Sequence, residues 1–196
     1  MARLLFQGHG SFRIVTASNV IIYVDPYAGT GYDLPADIIL VTHQHGDHNQ
    51  IKIVAKKPDC AIIQSQDALI EGKYQSFNIK GVVIMAVPAY NKNHRVDECV
   101  GYIISFDGLK LYAAGDTSKT SAMAGFPKLA LDYALLPIDG VYNMGPAEAA
   151  ECARLIKARH TIPIHMKPGA LFDARMAEAF AAENKLVVPA GAEIEL

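Results

Sequence analysis

The sequence predicts an α/β fold, and three observations carry that reading. Apolar runs of strand length are followed by helical patterns in both halves of the chain. Several of these runs end in a burst of polar residues, the pattern expected at the carboxyl edge of a sheet, where α/β proteins place their chemistry. No linker or low-complexity stretch divides the 196 residues, so 1–196 is read as one domain, long enough to bury a sizeable core.

Arg3 to Gln7, Phe12 to Thr16 and Val20 to Val24 are short β-prone runs separated by Gly8-His9-Gly10 and Ser18-Asn19, which suit turns, so an antiparallel meander is expected. Asp25-Pro26 ends the third run and opens a loop to Pro35 that is longer than a simple strand connection needs. Ile38 to Val41 reads as a buried strand. Gln50 to Lys56 is expected to form a short helix stopped by Pro58, Cys60 to Gln64 a strand, and Asp67 to Glu71 a second helical piece ended by Gly72. Gly81 to Val87 is nearly all apolar and predicts a buried strand closed by Pro88.

In the second half, Val100 to Phe106 and Leu109 to Ala113 flank Asp107-Gly108, a strong hairpin signal. Tyr133 to Leu136 is a further strand. Pro146 suits the first turn of a helix reaching about Ala158, with Glu148 near its start and Arg154 and Lys157 near its end complementing the dipole. Ala149, Cys152, Ala153 and Ile156 form its packing stripe. Thr161 to Ile164 predicts a strand, and Phe172, Met176, Ala179 and Phe180 mark a second amphipathic helix. Lys185 to Val188 and the alternating 192–196 complete the strands.

Composition narrows the function. Apolar residues make up 51% and charged residues 19%, ordinary for a compact protein. A net charge of -2 supplies no general attraction for nucleic acid or an anionic membrane, so no nucleic-acid partner is expected. An anionic substrate would have to be drawn by local charge, metal included. Cys60, Cys99 and Cys152 are odd in number and embedded in apolar patterns, and they read as reduced residues. With no secretory-type start and no run near the ~18 apolar residues that span a bilayer, a cytoplasmic protein is expected. Nothing in the pattern specifies an oligomeric state.

The densest chemistry lies in Thr42-His43-Gln44-His45-Gly46-Asp47-His48-Asn49, directly after the Ile38 to Val41 run. His43 and His45 are two apart, so extended backbone aims both rings to one side. Gly46 permits a sharp turn, after which Asp47 and His48 face a neighbouring point. One metal for the first pair and a second for the other is the natural reading. Other β-prone runs also end in polar residues, at Tyr90 to His94, at Gly115-Asp116 and at His165. Asp116 could bridge two cations, and His165 could complete the set of Asp47 and His48.

His43-x-His45-x-Asp47-His48 resembles the H-x-H-x-D-H motif of the metallo-β-lactamase superfamily. Gly8-His9-Gly10-Ser11, Asp25-Pro26, Pro88-Ala89-Tyr90-Asn91, Gly115-Asp116-Thr117, Leu135-Leu136-Pro137 followed by Tyr142 and Met144, and Ile164-His165 extend the resemblance. It looks closest to the compact metal-dependent hydrolases related to the ascorbate-6-phosphate lactonase and N-acylphosphatidylethanolamine phospholipase D types. The resemblance implies a four-layer αββα sandwich with its halves in two-fold arrangement. It also implies that Asp116 bridges two metals and that His165 serves the second. The expected ligands are His43, His45, Asp47, His48, His94, Asp116 and His165, with Asp47 and Asp116 in the catalytic roles.

This sequence departs from the superfamily at the third histidine of the first site. Asn91 occupies the most obvious position, and His94 follows three residues later. Three readings are open: His94 reaches in from its loop, Asn91 ligates weakly through oxygen, or the site is incomplete. The first is preferred. Asp25 is a candidate acceptor for a ligand histidine's other ring N–H, or a simple loop cap. His9 has a supporting or a substrate-facing role, His160 reads as structural, and Lys167 and Tyr142 read as solvated loop residues.

A set of imidazoles and carboxylates suits two Zn²⁺ first, with Mn, Fe or Ni admissible. The expected activity is metal-dependent hydrolysis of a small ester, lactone or phosphodiester by an activated water. No G-x-S-x-G or phosphate-loop motif offers a rival. The alternatives are an iron-dependent oxidoreductase on the same fold and a metal-binding protein without turnover.

Overall fold

A computed structural model describes residues 1–196. The first sheet contains β1 (Arg3–Gly8), β2 (Ser11–Val15), β3 (Ile21–Val24), β4 (Ala36–Leu40) and β5 (Lys56–Ile63) in sequence order, with the carboxyl-terminal β14 (Glu193–Glu195) added against β1. After the short helix α1 (Ser65–Ala68), β6 (Leu69–Ile70) and β7 (Lys73–Tyr74) form a small hairpin. The second sheet is built from β8 (Ser76–Ile79), β9 (Val82–Pro88), β10 (Val100–Phe106), β11 (Leu109–Ala113), β12 (Tyr133–Pro137) and β13 (His160–Ile164). Helices α2 (Pro146–Ile156) and α3 (Ala174–Ala179) complete the chain's regular structure.

The two sheets repeat one pairing scheme. From β1 to β5 successive neighbours pair antiparallel, antiparallel, parallel and parallel. From β9 to β13 the same series recurs. Strand alternation then divides the apolar residues. Phe6, Ile14, Ile22, Ile38 and Leu40 face Tyr102, Ile104, Leu111, Leu135 and Ile162 in the core between the sheets. On the outer face of the second sheet, Tyr112, Ala134 and Leu136 pack with Ala149, Cys152, Ala153 and Ile156 of α2 and with Met123 and Phe126 of the 3₁₀ segment Ser121–Leu129. The outer layer on the first sheet is thinner: Tyr23, Ile39 and Val41 meet Val54, Tyr32 and Ile51, around the 3₁₀ turn Ile51–Ile53. This is the αββα order.

Several local expectations are corrected. Pro58 does not stop a helix; it lies inside β5, the edge strand, where a missing N–H costs no ladder bond and the register against β4 already shifts. Glu71-Gly72 is not a helix end but the turn of the β6–β7 hairpin, both residues having positive φ. Strand β9 is not buried on both faces, since Val83 is exposed while Val82, Ile84 and Ala86 enter the core. Lys185 to Val188 gives one bridge, Lys185 to Thr161, rather than a strand. In α3 the buried positions are Ala177 and the following Phe180, not Ala179. Strand β8, whose Ser76-Phe77-Asn78-Ile79 alternates over only four residues, and the 3₁₀ segment Ser121–Leu129 are further elements that the sequence pattern left unplaced. No helix is long and apolar enough to cross a membrane.

The strand ends at one rim carry the polar residues singled out in the sequence. Tyr102, fully buried between the sheets, donates its hydroxyl to the Val41 carbonyl at 3.0 Å, two residues before His43. Tyr102→Phe is expected to lower stability by about 1–3 kcal/mol, because that carbonyl loses its partner inside the core. Urea unfolding measures the loss, and an unchanged midpoint would contradict this account of the rim.

Candidate metal centre

Asp25, directly after β3, holds a positive φ of 46° and is 2% exposed. Its Oδ1 accepts from the Thr42 backbone N–H at 2.7 Å. Its Oδ2 accepts from the Thr42 hydroxyl at 2.7 Å and from His48 Nδ1 at 2.9 Å. The Thr42 hydroxyl has thereby given up its only proton, so at 3.0 Å it accepts from His43 Nδ1. Both rings are thus tied outward through Nδ1, which turns each Nε2 toward the centre of the cluster. Two glycines make room for this packing. A Cβ on Gly115, whose φ is 62°, would lie 2.9 Å from Thr42 Cβ, and one on Gly10 would lie 2.9 Å from His48 Cε1.

His94 follows the same rule from another loop, and His165 approaches a carboxylate through its Nδ1. His94 Nδ1 donates to Asn91 Oδ1 at 3.0 Å, while its Nε2 lies 3.2 Å from His45 Nδ1 and 3.3 Å from Asp116 Oδ2. The Asn91 oxygen is therefore occupied in holding His94. His165, directly after β13, places Nδ1 2.8 Å from Asp139 Oδ2 and Nε2 3.4 Å from Asp116 Oδ2. Asp116 Oδ1 lies 3.3 Å from His48 Nε2, so one carboxylate reaches three imidazoles.

The ring nitrogens and carboxylates fall into overlapping groups: His43, His45 and His94; His43, His48 and Asp116; and His9, Asp47, His48 and His165. All seven side chains proposed as ligands from the sequence are brought together. His9, left between two roles, donates Nε2 to Asp47 Oδ2 at 3.0 Å, and its ring centroid is 3.8 Å from that of His165. Asp139 was not singled out by sequence reasoning, although it follows β12 as Asp116 follows β11. Its Oδ1 accepts from the backbone N–H groups of Val141, Tyr142 and Asn143. His160 stands apart, stacked on Tyr133. Lys167 is solvated, and half-exposed Tyr142 lines the cavity beside the cluster.

The donor set fits a cation. His43 Nε2, His48 Nε2, Asp116 Oδ1 and both ring nitrogens of His165 are buried with no hydrogen-bond partner, and all but His165 Nδ1 face the cluster. Such a convergence of unpartnered acceptors is costly unless a proton or a metal ion occupies it. The tautomers that the outward bonds impose are the ones that metal ligation requires.

A family model described as "Beta-lactamase superfamily domain" matches residues 3–165. The chain belongs to the beta-lactamase superfamily. It is 35% identical to a UPF0173 metal-dependent hydrolase of Thermococcus onnurineus, with 84% of each chain covered. A crystal structure of a candidate metal-dependent hydrolase from Parabacteroides distasonis is 35% identical, with a TM-score of 0.74 over 93% of this chain and 90% of that one. A metallo hydrolase from Ignicoccus hospitalis shares the fold at 22% identity, with a TM-score of 0.76 over 100% and 99% of the two chains. The metallo-β-lactamase fold expected from the sequence is thereby established, and the matched superfamily region ends at His165.

Without metal, the charge balance of the site rests on His48. Burial opposes charge on His48, but Asp116 and Asp25 outweigh it and raise its pKa to about 9. Burial, reinforced by His48, pushes His43 down to about 2. Burial would raise Asp116, yet the surrounding imidazoles bring it to about 2. The hydrogen bond from His9 holds Asp47 well below the usual carboxylate range. Because unfolded histidine titrates near 6.5, His48 stabilises the metal-free fold fully below about pH 6.5, and this contribution is lost as pH rises through about 9. His43 acts oppositely: below about 6.5 the unfolded chain takes up a proton that the buried ring refuses. Metal-free protein is therefore expected to be most stable near pH ~6.5, with His48→Asn flattening the alkaline limb. Denaturant midpoints across pH in chelator check this; a rise from pH 6.5 to 9 would contradict it.

Proposed function

We propose that this chain is a dinuclear metal-dependent hydrolase of small uncharged esters or lactones, with phosphodiesters as the secondary class. The observation that carries the reading is the convergence of inward-facing, unpartnered nitrogens around Asp116. His43, His45 and His94 would hold one ion, and Asp47, His48 and His165 the other, with Asp116 reaching both. Zn²⁺ suits this set best, with Mn, Fe or Ni admissible. Two divalent ions bound there supply Lewis acidity and acidify a water toward a pKa of ~7.

The chain's own residues do the rest. Asp47 lines the open cavity and is fixed by His9, which places it to orient the attacking water. Cys99 lines the neighbouring cavity, but burial pushes its thiol up to about 12, so it offers no thiolate nucleophile. Attack by water without a covalent protein intermediate is the route this reading assigns.

Two adjoining cavities of about 280 and 420 Å³ open on the cluster and share His45, Asn93 and His94. Gln44, Gln66 and Asn93 offer amide donors and acceptors, and Asp47, Asp97 and Glu98 add carboxylates; no lysine or arginine lines either cavity. Arg95 is turned to Asp97 and Glu98. A phosphate or carboxylate on the substrate would thus find no cationic side chain in the lining, which weakens the anionic substrates admitted from the sequence. The free state of all three cysteines agrees with the proposed cytoplasmic residence.

The test is a panel of esters, lactones and phosphodiesters, each offered with and without an added phosphate group, after chelation and reloading with Zn²⁺. Chelation is expected to abolish turnover and Zn²⁺ to restore it. Uncharged members should show kcat/KM at least ~10-fold above their phosphorylated partners, the worth of one missing charge-assisted hydrogen bond. Turnover that survives chelation, or a preference for the phosphorylated partners, would overturn the reading.

A further inference from the structure

A chain of polar contacts links the loop that carries His94 to the loop that carries His165. It starts at Asn91, whose Oδ1 accepts from the backbone N–H groups of Asn93 at 2.8 Å and His94 at 3.0 Å, and from His94 Nδ1. Two backbone donors permit only the oxygen at that position, so the amide orientation of Asn91 is fixed. Its Nδ2 must then point the other way, where it donates to Asn143 Oδ1 at 3.1 Å. Asn143 is fixed in turn, and its Nδ2 donates to Asp139 Oδ2 at 2.9 Å. That same oxygen lies 2.8 Å from His165 Nδ1. Asn143 and Asp139 are both buried.

We propose that Asn91, Asn143 and Asp139 are positioning residues that make the ring orientations of His94 and His165 interdependent, so that the two candidate metal positions assemble as a unit. The direction of the chain is set by backbone amides, which do not titrate and cannot turn. Every link downstream has a single allowed sense: His94 must present Nε2 to its site, and Asp139 must offer an acceptor to His165. Asn143 is the shared partner of Asn91 and Asp139, so a shift of either side chain is felt at the other, which couples the sites through one short network. His43 and His48 are outside this chain, since both are held through Asp25 and Thr42. The coupling of metal binding rests on the two-ion reading above; the ring orientations do not.

The experiment is Asn143→Leu, close in size and unable to hydrogen-bond, with Asn143→Ala in reserve should leucine not fold. Val141→Ala, an exposed neighbour outside the chain, is the control. Long-range ¹H–¹⁵N NMR on metal-free, histidine-labelled protein reads each ring's tautomer. Zn²⁺ titration against a competing chelator reads affinity and stoichiometry. The variant is expected to lose the single-tautomer signature at both His94 and His165 while the ring signals of His43 and His48 stay unchanged. Zn²⁺ binding should fall ~10–100-fold at both positions and split from one phase into two. Unchanged tautomers, or a change at only one of the two histidines, would overturn the proposal. Wild-type protein that takes up a single equivalent of Zn²⁺ would instead overturn the two-ion reading and with it the coupling of metal binding, while the NMR comparison still decides the positioning chain.

Discussion

Everything at the active rim depends on a carboxylate buried where β3 ends. Burying Asp25 would cost several kcal/mol if its charge were unpaired. Three hydrogen bonds offset that cost, and all three come from the segment carrying the H-x-H-x-D-H run. The constraint therefore works in both directions: the carboxylate is tolerable only if Thr42 and His48 close on it, and closure aims the Nε2 atoms of His43 and His48 at one point. Gly115 and Gly10 leave the space in which this closure occurs.

The repeated pairing scheme explains why the other donors arrive at the same place. Each half begins with antiparallel strands and ends with parallel ones, so the carboxyl ends of β3, β4, β11, β12 and β13 meet at one rim. Asp25 and Asp116 follow the third strand of their respective series. They have taken opposite roles: Asp25 turns outward to hold rings by Nδ1, and Asp116 turns inward toward three Nε2 atoms. The buried charge then needs an occupant. In the metal-free chain the carboxylates of Asp116 and Asp25 favour the charged form of His48, and His48 with its neighbours favours the charged form of Asp116.

Most strands were legible because period-two alternation and turn pairs such as Asp107-Gly108 act locally. The failures also have local causes. Pro58 reads as a helix stop in isolation, and only its edge position in the sheet makes it compatible with a strand. Glu71-Gly72 could end a helix or turn a hairpin, and the pairing of Leu69 with Tyr74 decides. At the site, the spacing of His43, His45, Asp47 and His48 announced its chemistry because all four lie on one turn. What Asn91 does depends on Asn143, 52 residues away in sequence, and no spacing rule reaches that far. Asp139 escaped notice because a carboxylate after Pro137-Ile138 also reads as a turn residue; its acceptance of three backbone N–H groups shows that it is one, as well as a partner for His165.

The central claim is that Asp116 lies between two metal positions, with His43, His48 and His94 aimed by outward Nδ1 bonds. Anomalous scattering at the zinc edge from Zn²⁺-loaded crystals tests it most directly. The account predicts two peaks roughly 3.5–4 Å apart. One should lie ~2.0–2.1 Å from the ligating nitrogens of His43, His45 and His94, the other at that distance from His48 Nε2 and His165 Nε2, with Asp116 touching both. A single peak, or one bound through the Nδ1 atoms of His43 or His48, would contradict it.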